Sequence, residues 1–268
     1  MNRVVPDPEQ PGAWYVRING TDQSWIDPDD PTRLEFDYMQ RIADVVDAHA
    51  PAGERLRVLH IGGAGMTLPR YIAATRPTSA QIVLEPDATL TEEVRRIVPL
   101  PRNSGIKVRP IDGRAGVAAI RAGWDADVII MDAFSGASVP AELTTVEFFT
   151  QVRRILAADG VFLLNLTDKA PFTYVRRVLA GLSEVFGERM LSAEPATLKG
   201  RRFGNILLAG SAAALPIAAL ARKAAGSVFL YRVLHGPHLE RFGATAVPFT
   251  DDDAGSSPEP PGGPTFFR

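Results

Sequence analysis

The stretch Arg57–Glu85, RVLHIGGAGMTLPRYIAATRPTSAQIVLE, has the pattern of a single βαβ unit. A short apolar run ends at the turn Gly62-Gly63-Ala64-Gly65, after which apolar residues recur at helical spacing as far as Arg76-Pro77. A second apolar run, Gln81–Leu84, ends at Glu85, which stands 20 residues beyond Gly65 (85 − 65). Glycines let a backbone approach a ligand, and an acid at the next strand's tip can accept both hydroxyls of a ribose. The spacing therefore predicts a nucleotide site made by Gly62, Gly63, Gly65 and Glu85.

The same turn narrows the kind of nucleotide. Leu68 occupies the position of the third glycine in the G-x-G-x-x-G pattern of dinucleotide sites. This departure disfavours NAD and FAD and favours a mononucleoside such as S-adenosylmethionine. Because glycines suit any βαβ connection, Glu85 is the residue on which the nucleoside prediction depends.

The composition excludes several classes of protein. The chain has 268 residues, 46% hydrophobic and 22% charged, which suits one large α/β domain with extensions. A net charge of −2 and scattered arginines predict no nucleic-acid partner. The absence of cysteine, with four histidines outside metal-ligand spacing, predicts no metal and no disulfide. No apolar run reaches the ~18 residues that span a bilayer and no signal peptide is recognisable, so we expect no membrane partner and a cytoplasmic location.

The segment before the βαβ unit predicts a hairpin and a helix. Trp14–Ile18 alternates apolar and polar residues, Asn19-Gly20 is a tight-turn signal, and Gln23–Ile26 can return as a second strand. Apolar residues then recur at helical spacing from Leu34 to about Ala50. We therefore predict that residues 1–54 form an N-terminal hairpin and a lead-in helix.

Acidic residues follow two later strands as well. Asp112 comes shortly after the short apolar strand around 106–108, and Asp132 ends the buried strand Asp127–Met131. In open α/β sheets, ligands bind beyond the carboxyl ends of the strands. We therefore predict that Glu85, Asp112 and Asp132 converge on one crevice.

The remaining pattern predicts the sheet and its limits. Alternating strands and helices indicate a mostly parallel sheet, and two closing strands near 189–193 and 205–209, joined by a short link, indicate an antiparallel edge. Residues 55–250 are predicted to form the Rossmann-like nucleoside-binding domain. The Asp, Gly, Ser, Pro and Glu content of 251–268 predicts a disordered tail.

The order of these segments resembles the spermidine synthase-like aminopropyltransferases, the polyamine aminopropyltransferase family. The resemblance covers most of the chain. It is carried by the hairpin with Asn19-Gly20 and Gln23, the glycine turn, Leu84-Glu85-Pro86-Asp87, Ile111-Asp112-Gly113-Arg114, Asp127–Asp132, and Phe148-Phe149 through Asp159-Gly160. It implies a Rossmann-like class I methyltransferase fold: a mostly parallel seven-stranded sheet with an antiparallel edge and an N-terminal β-hairpin. It also implies a homodimer.

The resemblance further implies residue roles and a reaction. Glu85 would hold the ribose, and Asp112 with Gly113 would meet the adenine. Gln23 would reach from the hairpin over the ligand, and Asp132 would deprotonate or orient an attacking amine. An amine is inert while protonated, so a carboxylate there is chemically reasonable. The implied reaction moves an aminopropyl group from decarboxylated S-adenosylmethionine to a small diamine. Asp112 and Asp132 would also suit plain turn or helix-cap positions.

Two departures from the family pattern keep other hypotheses open. Spermidine synthases usually carry D-x-x-D after the fourth strand, whereas here Asp132-Ala133-Phe134-Ser135 lacks the second acid. They also usually carry an acid in the glycine turn, where this chain has Ala64 and Met66. A neutral turn with free backbone N–H groups would tolerate the carboxylate of intact S-adenosylmethionine. The alternatives are therefore a methyltransferase acting on an unknown small acceptor, or a non-catalytic nucleoside-binding homologue. Acids that could replace the missing ones are Asp37, Glu142 and Asp168.

Overall fold

The computed structural model describes residues 3–18 and 20–261. The strands are β1 Val4–Pro6, β2 Trp14–Ile18, β3 Thr21–Ile26, β4 Arg57–Ile61, β5 Ala80–Leu84, β6 Ile106–Arg109, β7 Ala126–Met131, β8 Leu156–Asp168, β9 Glu188–Ala193, β10 Gly204–Ser211 and β11 Arg232–His235. The helices are α1 Asp37–His49, α2 Thr67–Thr75, α3 Ala88–Ile97, α4 Gly113–Ala118, α5 Val146–Ile155, α6 Thr173–Val185, α7 Pro195–Leu198, α8 Ile217–Gly226 and α9 Gly236–Gly243.

The central sheet has the order β11-β9-β10-β8-β7-β4-β5-β6. Strands β4 to β8 pair in parallel, whereas β10 runs antiparallel to both β8 and β9. The predicted Rossmann-like class I methyltransferase fold with an antiparallel edge is therefore confirmed. Within the described residues the sheet gains an eighth strand, because β11 pairs antiparallel with β9. This strand is only four residues long and half-exposed, so its sequence shows no apolar alternation.

Both faces of the central sheet are buried, which explains the continuous apolar runs of its strands. Along β7, Val128 and Ile130 pack with helices α1 and α2, whereas Ile129 and Met131 pack with α5 and α6. Successive side chains of a strand point to opposite faces, so a strand covered on both sides is apolar at most of its positions. Each apolar run therefore marks a strand in the middle of the molecule.

The N-terminal strands form a separate antiparallel sheet of order β1-β2-β3. The predicted hairpin is confirmed as β2 and β3, and β1 adds a third strand; Asn19 lies outside the described residues. This sheet lies over the glycine turn. The Ser24 hydroxyl accepts the N–H of Gly65 at 3.1 Å, and the Thr67 hydroxyl donates to the carbonyl of Trp25 at 2.7 Å. The hairpin therefore forms one wall of the predicted site.

The C-terminal segment differs from the predicted disorder as far as residue 261. The Thr145 hydroxyl donates to Asp251 at 2.7 Å, and Asp251 also pairs with Arg114. Ser257 is buried, and its hydroxyl accepts the N–H of Val139 at 2.8 Å. The low apolar content of the segment gave no sign of this packing, because hydrogen bonds and ion pairs rather than a hydrophobic face hold the segment in place. Residues 262–268 of the predicted tail lie outside the described residues.

We expect Gly62→Ala to destabilise the fold strongly. Gly62 has φ +92°, and a Cβ atom there would lie 2.2 Å from the backbone carbonyl oxygen of Asp132. Left-handed backbone and a backbone clash together should lower the free energy of unfolding by about 3 kcal/mol. Gly123→Ala is the matched control, since Gly123 has φ +73° with no atom within 4 Å of the added Cβ. It should cost only about 1 kcal/mol in urea unfolding, and equal losses in the two variants would contradict the clash.

Candidate active site at the carboxyl edge of the sheet

The sheet order brings the predicted acids to one edge. Strands β7, β4, β5 and β6 are consecutive neighbours and parallel, so their carboxyl ends meet on the same side. The N–H of Asp132 bonds to the carbonyl of Ile61 at 2.9 Å, and the N–H of Gly62 bonds to the carbonyl of Leu84 at 3.0 Å. The glycine turn therefore lies between Asp132 on one side and Glu85 on the other.

Glu85 is already bonded to the glycine turn. Its Oε2 accepts the N–H groups of Gly63 and Ala64, both at 3.0 Å, and its Oε1 accepts the N–H of Asp87 at 2.9 Å. The carboxylate thus links the end of β5 to the turn after β4. This placement fits a ribose-binding acid, because the carboxylate faces the glycine turn that would approach the nucleoside.

The backbone N–H groups of the turn all have partners inside the protein, in contrast to the expectation of free donors. Gly63 and Ala64 donate to Glu85, and Gly65 donates to Ser24. The remaining two bonds run from Gly62 to Leu84 and from Met66 to the carbonyl of Gly63. A carboxylate on the ligand would therefore have to displace Glu85 or Ser24.

Asp112 caps a helix. It precedes α4 and accepts the N–H of Ala115 at 2.8 Å through its side chain, which is exposed. Gly113 lies close to the glycine turn, because an added Cβ there would lie 2.5 Å from the Cγ2 atom of Ile61. Both residues therefore lie at the carboxyl edge of the sheet, and the side chain of Asp112 caps α4.

Asp132 is held by two polar side chains. Asn165 donates to its Oδ1 at 2.8 Å, and the Tyr38 hydroxyl also hydrogen-bonds to it. Burial raises the pKa of Asp132 from its ordinary value of 3.8 to about 6, and these two hydrogen bonds partly oppose that rise. A carboxylate with such a pKa ionises near neutral pH and can still accept a proton from an amine.

Sequence reasoning did not identify the two residues that hold Asp132. Tyr38 belongs to the apolar pattern of α1, and Asn165 interrupts the apolar run of β8. A polar residue inside a buried strand needs a hydrogen-bond partner, so Asn165 was the available signal. Its Oδ1 accepts the side chain of Asn205 at 3.1 Å, which extends the polar contacts to β10.

Two cavities meet beside Asp132. The smaller one, of about 40 Å³, is lined by Asp132, His60 and the glycine turn. The larger one, of about 890 Å³, is lined by Asn165 and by residues from the hairpin, α1, α7 and the loop after α8; we call it the acceptor cavity. Gln23, Tyr38 and Phe134 line both. Gln23 therefore lies between the glycine turn and the acceptor cavity, whereas neither cavity is lined by Glu85 or Asp112.

The three candidate replacement acids have different surroundings. Asp37 lines the acceptor cavity. Asp168 accepts the N–H groups of Lys169 and Val175 at the start of α6, so its carboxylate is occupied by backbone. Glu142 lines neither cavity. Asp37 is therefore the one of the three that borders the space beside Asp132.

In the described parts of the chain, no group of three or more His, Asp or Glu side chains could hold a metal ion. Across residues 3–18 and 20–261, every helix is too short or too polar to cross a bilayer.

The strand order and the edge site define a Rossmann-like protein with the class I methyltransferase fold. No protein-family model matches the sequence. A probable spermidine synthase from Corynebacterium glutamicum ATCC 13032 has a similar structure, with a TM-score of 0.85 and 33% identity over 92% of each chain. The chain therefore belongs to the spermidine synthase-like, or polyamine aminopropyltransferase, family.

Two further similar proteins, one similar in sequence and one in fold, carry different names, so the fold by itself does not distinguish aminopropyl transfer from methyl transfer. A polyamine aminopropyltransferase from Chromobacterium violaceum is 27% identical over 180 residues, which is 66% of each chain and so just under two thirds of that relative. Human methyltransferase-like protein 13, solved in complex with SAH, has a TM-score of 0.57 and 21% identity over 81% of this chain and 96% of that chain. That second likeness concerns the fold alone.

Proposed function

We propose that this chain transfers an aminopropyl group from decarboxylated S-adenosylmethionine to an amine of a small diamine. Asp132 carries this proposal. It lies at the end of β7, bonded to Asn165 and Tyr38, where the small cavity at the glycine turn meets the acceptor cavity. In this arrangement the donor lies at the glycine turn, with its ribose on Glu85, and the acceptor amine approaches Asp132 from the other side.

The reaction needs a proton acceptor. The amine nitrogen forms a bond to the methylene carbon attached to sulfur, and the electron pair of the broken C–S bond neutralises the sulfonium to give methylthioadenosine. The amine must lose its proton to attack. With a pKa raised to about 6 by burial, Asp132 is ionised at neutral pH and can take that proton.

The glycine turn favours the decarboxylated donor over the intact one. Intact S-adenosylmethionine has a carboxylate that needs hydrogen-bond donors, and the N–H groups of Gly63, Ala64 and Gly65 are already bonded to Glu85 and Ser24. Methyl transfer requires that carboxylate to be accommodated. A carboxylate left without donors in a partly buried site is costly, which is why we place aminopropyl transfer first.

Calorimetric titration with decarboxylated S-adenosylmethionine, intact S-adenosylmethionine and methylthioadenosine tests the proposal. We expect the decarboxylated donor to bind more tightly than the intact one, and turnover with an amine to release methylthioadenosine. Tighter binding of the intact donor, with release of S-adenosylhomocysteine, would establish methyl transfer instead. If none of the three binds, the chain is a non-catalytic member of the family.

Asp112→Asn separates nucleoside binding from helix capping. Asparagine caps helices as well as aspartate does, so the free energy of unfolding should change by less than about 0.5 kcal/mol. Loss of a charged acceptor for the adenine should weaken methylthioadenosine binding about tenfold. Unchanged affinity would mean that Asp112 serves only as the cap of α4.

The homodimer implied by the resemblance stays a prediction, which sedimentation of the purified chain would test.

A further inference from the structure

The acceptor cavity contains acidic and basic side chains in nearly equal number. Its lining includes four acids and three bases. The acids are Asp22, Glu35, Asp37 and Glu194, and the bases are Lys199, Arg201 and Arg202. A diamine acceptor would need uncommitted acids here, so the partner of each charge decides which ligand the cavity suits.

Each of the four acids is already paired with an arginine of the chain. The pairs are Asp22 with Arg17 at 2.5 Å, Glu35 with Arg33 at 3.3 Å, Asp37 with Arg41 at 3.4 Å, and Glu194 with Arg202. Three of these arginines, Arg17, Arg33 and Arg202, are well exposed, so their ion pairs are weak. Even so, every acidic charge of the lining has a nearby compensating charge.

Asp37 is the most firmly committed of these acids. Its partner Arg41 has only 2% of its side chain exposed, and the other contacts of that guanidinium are the backbone carbonyls of Ser192 and Asn205. A buried cation that loses its counter-ion is strongly destabilising. Asp37 therefore cannot turn to bind a ligand ammonium without leaving Arg41 unpaired, although it was the best candidate to replace the missing second acid.

Two cations of the lining have no acidic partner. Lys199 and Arg201 lie in the turn between α7 and β10, both exposed, and neither forms an ion pair with a residue in the described part of the chain. Arg202 beside them is taken by Glu194. The uncommitted charge of the acceptor cavity is therefore positive.

We infer that the acceptor amine also carries an anionic oxygen group, a carboxylate or a phosphate, which Lys199 and Arg201 bind while the amine lies at Asp132. This inference rests on the proposed function. An ammonium at the far end of a plain diamine would face two unpaired cations and only acids that already have partners. An anionic group would pair with both cations, and guanidinium groups bind such anions through two parallel hydrogen bonds.

Matched acceptors test the charge of the far end. Putrescine and ornithine present the same four-carbon diamine without and with a carboxylate, and ethanolamine and phosphoethanolamine present the same two-carbon amine without and with a phosphate. Release of methylthioadenosine from decarboxylated S-adenosylmethionine gives kcat/KM for each. Because two charge-assisted contacts form with the anionic group, kcat/KM for the anionic member of at least one pair should be higher by about tenfold or more. A higher kcat/KM for ornithine than for its counterpart would identify the anionic group as a carboxylate, and a higher kcat/KM for phosphoethanolamine would identify it as a phosphate. If neither anionic acceptor has a higher kcat/KM than its counterpart, the inference is overturned.

A charge reversal assigns the preference to the two cations. The double variant Lys199→Glu and Arg201→Glu should lose the preference for the anionic acceptor and gain activity with putrescine, whose second ammonium the new carboxylates can bind. Arg222→Glu is the control, because Arg222 is exposed on α8 and does not line the cavity. Loss of the preference in the control, or its retention in the double variant, overturns the inference.

A binding measurement keeps this result separate from the proposed reaction. Each acceptor is titrated into protein saturated with methylthioadenosine, with and without the charge reversal. If no amine is turned over, aminopropyl transfer is wrong, but tighter binding of ornithine or phosphoethanolamine that depends on Lys199 and Arg201 still supports the inference. Equal affinities for the anionic and plain acceptors, or affinities that the charge reversal does not change, would overturn the inference.

Discussion

Asp132→Asn should lower kcat by about a thousandfold while leaving nucleoside affinity nearly unchanged, because asparagine fills the same space but cannot take the proton of the amine. Its Oδ1 can still accept the hydrogen bond of Asn165, so the site should keep its shape. Single-turnover release of methylthioadenosine measures the rate, and calorimetry measures affinity for the donor. Equal losses of affinity and rate would show that Asp132 binds the donor rather than the amine's proton.

The pH dependence of kcat provides an independent check on the same residue. In the unmodified protein the rate should fall as the pH decreases through about 6, because Asp132 becomes protonated and can no longer act as a base. The residual activity of Asp132→Asn should lack this acidic limb. A limb that persists in the variant would assign the titration to another group.

Asp132 should also affect stability with a definite sign. Its pKa is raised on folding, so between its ordinary value of 3.8 and about 6 the folded state binds the proton more tightly than the unfolded state. The Asp132 contribution therefore destabilises the fold above that range and is relieved as the pH falls through it. Because the side chain retains some access to the cavity, Asp132→Asn should raise the free energy of unfolding by about 1 to 2 kcal/mol at pH 8 and leave it nearly unchanged at pH 4. Urea unfolding at the two pH values measures this, and stabilisation at both alike would contradict a titrating carboxylate.

Glu85→Ala should abolish measurable nucleoside binding, a loss of at least about 100-fold in affinity, because two charge-assisted hydrogen bonds to the ribose disappear. The structure adds a second consequence. Removing the carboxylate leaves the N–H groups of Gly63 and Ala64 without their acceptor, so the glycine turn itself should loosen. Calorimetry with methylthioadenosine tests the first effect, and hydrogen exchange at the two N–H groups tests the second.

Two further variants make the Glu85 result interpretable. Glu92→Ala removes the same charge from an exposed position on α3 and should leave affinity unchanged. Glu85→Gln retains one acceptor oxygen for the N–H groups of Gly63 and Ala64 but loses the charge and the bond from the N–H of Asp87. It should therefore keep the turn ordered, lower the free energy of unfolding by only about 1 kcal/mol, and still lose most of the affinity. Methylthioadenosine binding that survives in Glu85→Gln would place the ribose elsewhere.

The departures of this chain from its family's usual acids have structural counterparts. Met66, at one of the turn positions where an acid was expected, is buried among apolar residues of the N-terminal sheet and α3 and does not face the site. Asp37, the acid bordering the cavity, is engaged by Arg41. Among the described residues that line the acceptor cavity, every acid has an arginine partner, so the proposed reaction keeps its proton acceptor but has no free acid there for a second ammonium.

Much of the fold was accessible from the sequence, because its signals are local. The apolar run, glycine turn and acid between Arg57 and Glu85 specify strand, turn, helix and strand by neighbouring residues alone. Because the strands run parallel, their carboxyl ends place Glu85, Asp112 and Asp132 at one edge. The eighth strand β11 and the packed segment 251–261 were missed, because their sequences contain no apolar periodicity. The strand β11 is held by pairing with β9 at the edge of the sheet, and segment 251–261 is held by polar contacts, and neither produces a periodic pattern in the sequence.

Tertiary structure alone decided which charges are free and which groups meet Asp132. Asn165 lies 33 residues from Asp132 in sequence. Asp37 and Arg41 are an i,i+4 pair within α1, but the guanidinium of Arg41 is buried because α1 packs against β9 and β10. Helical spacing allows the Asp37–Arg41 pair, whereas the burial of Arg41 and the Asn165–Asp132 hydrogen bond depend on distances between remote elements, which no spacing in the chain predicts. The sequence by itself determined the edge of the sheet at which the site lies. The packing of the elements determined that Lys199 and Arg201 have no acidic partner among residues 3–18 and 20–261.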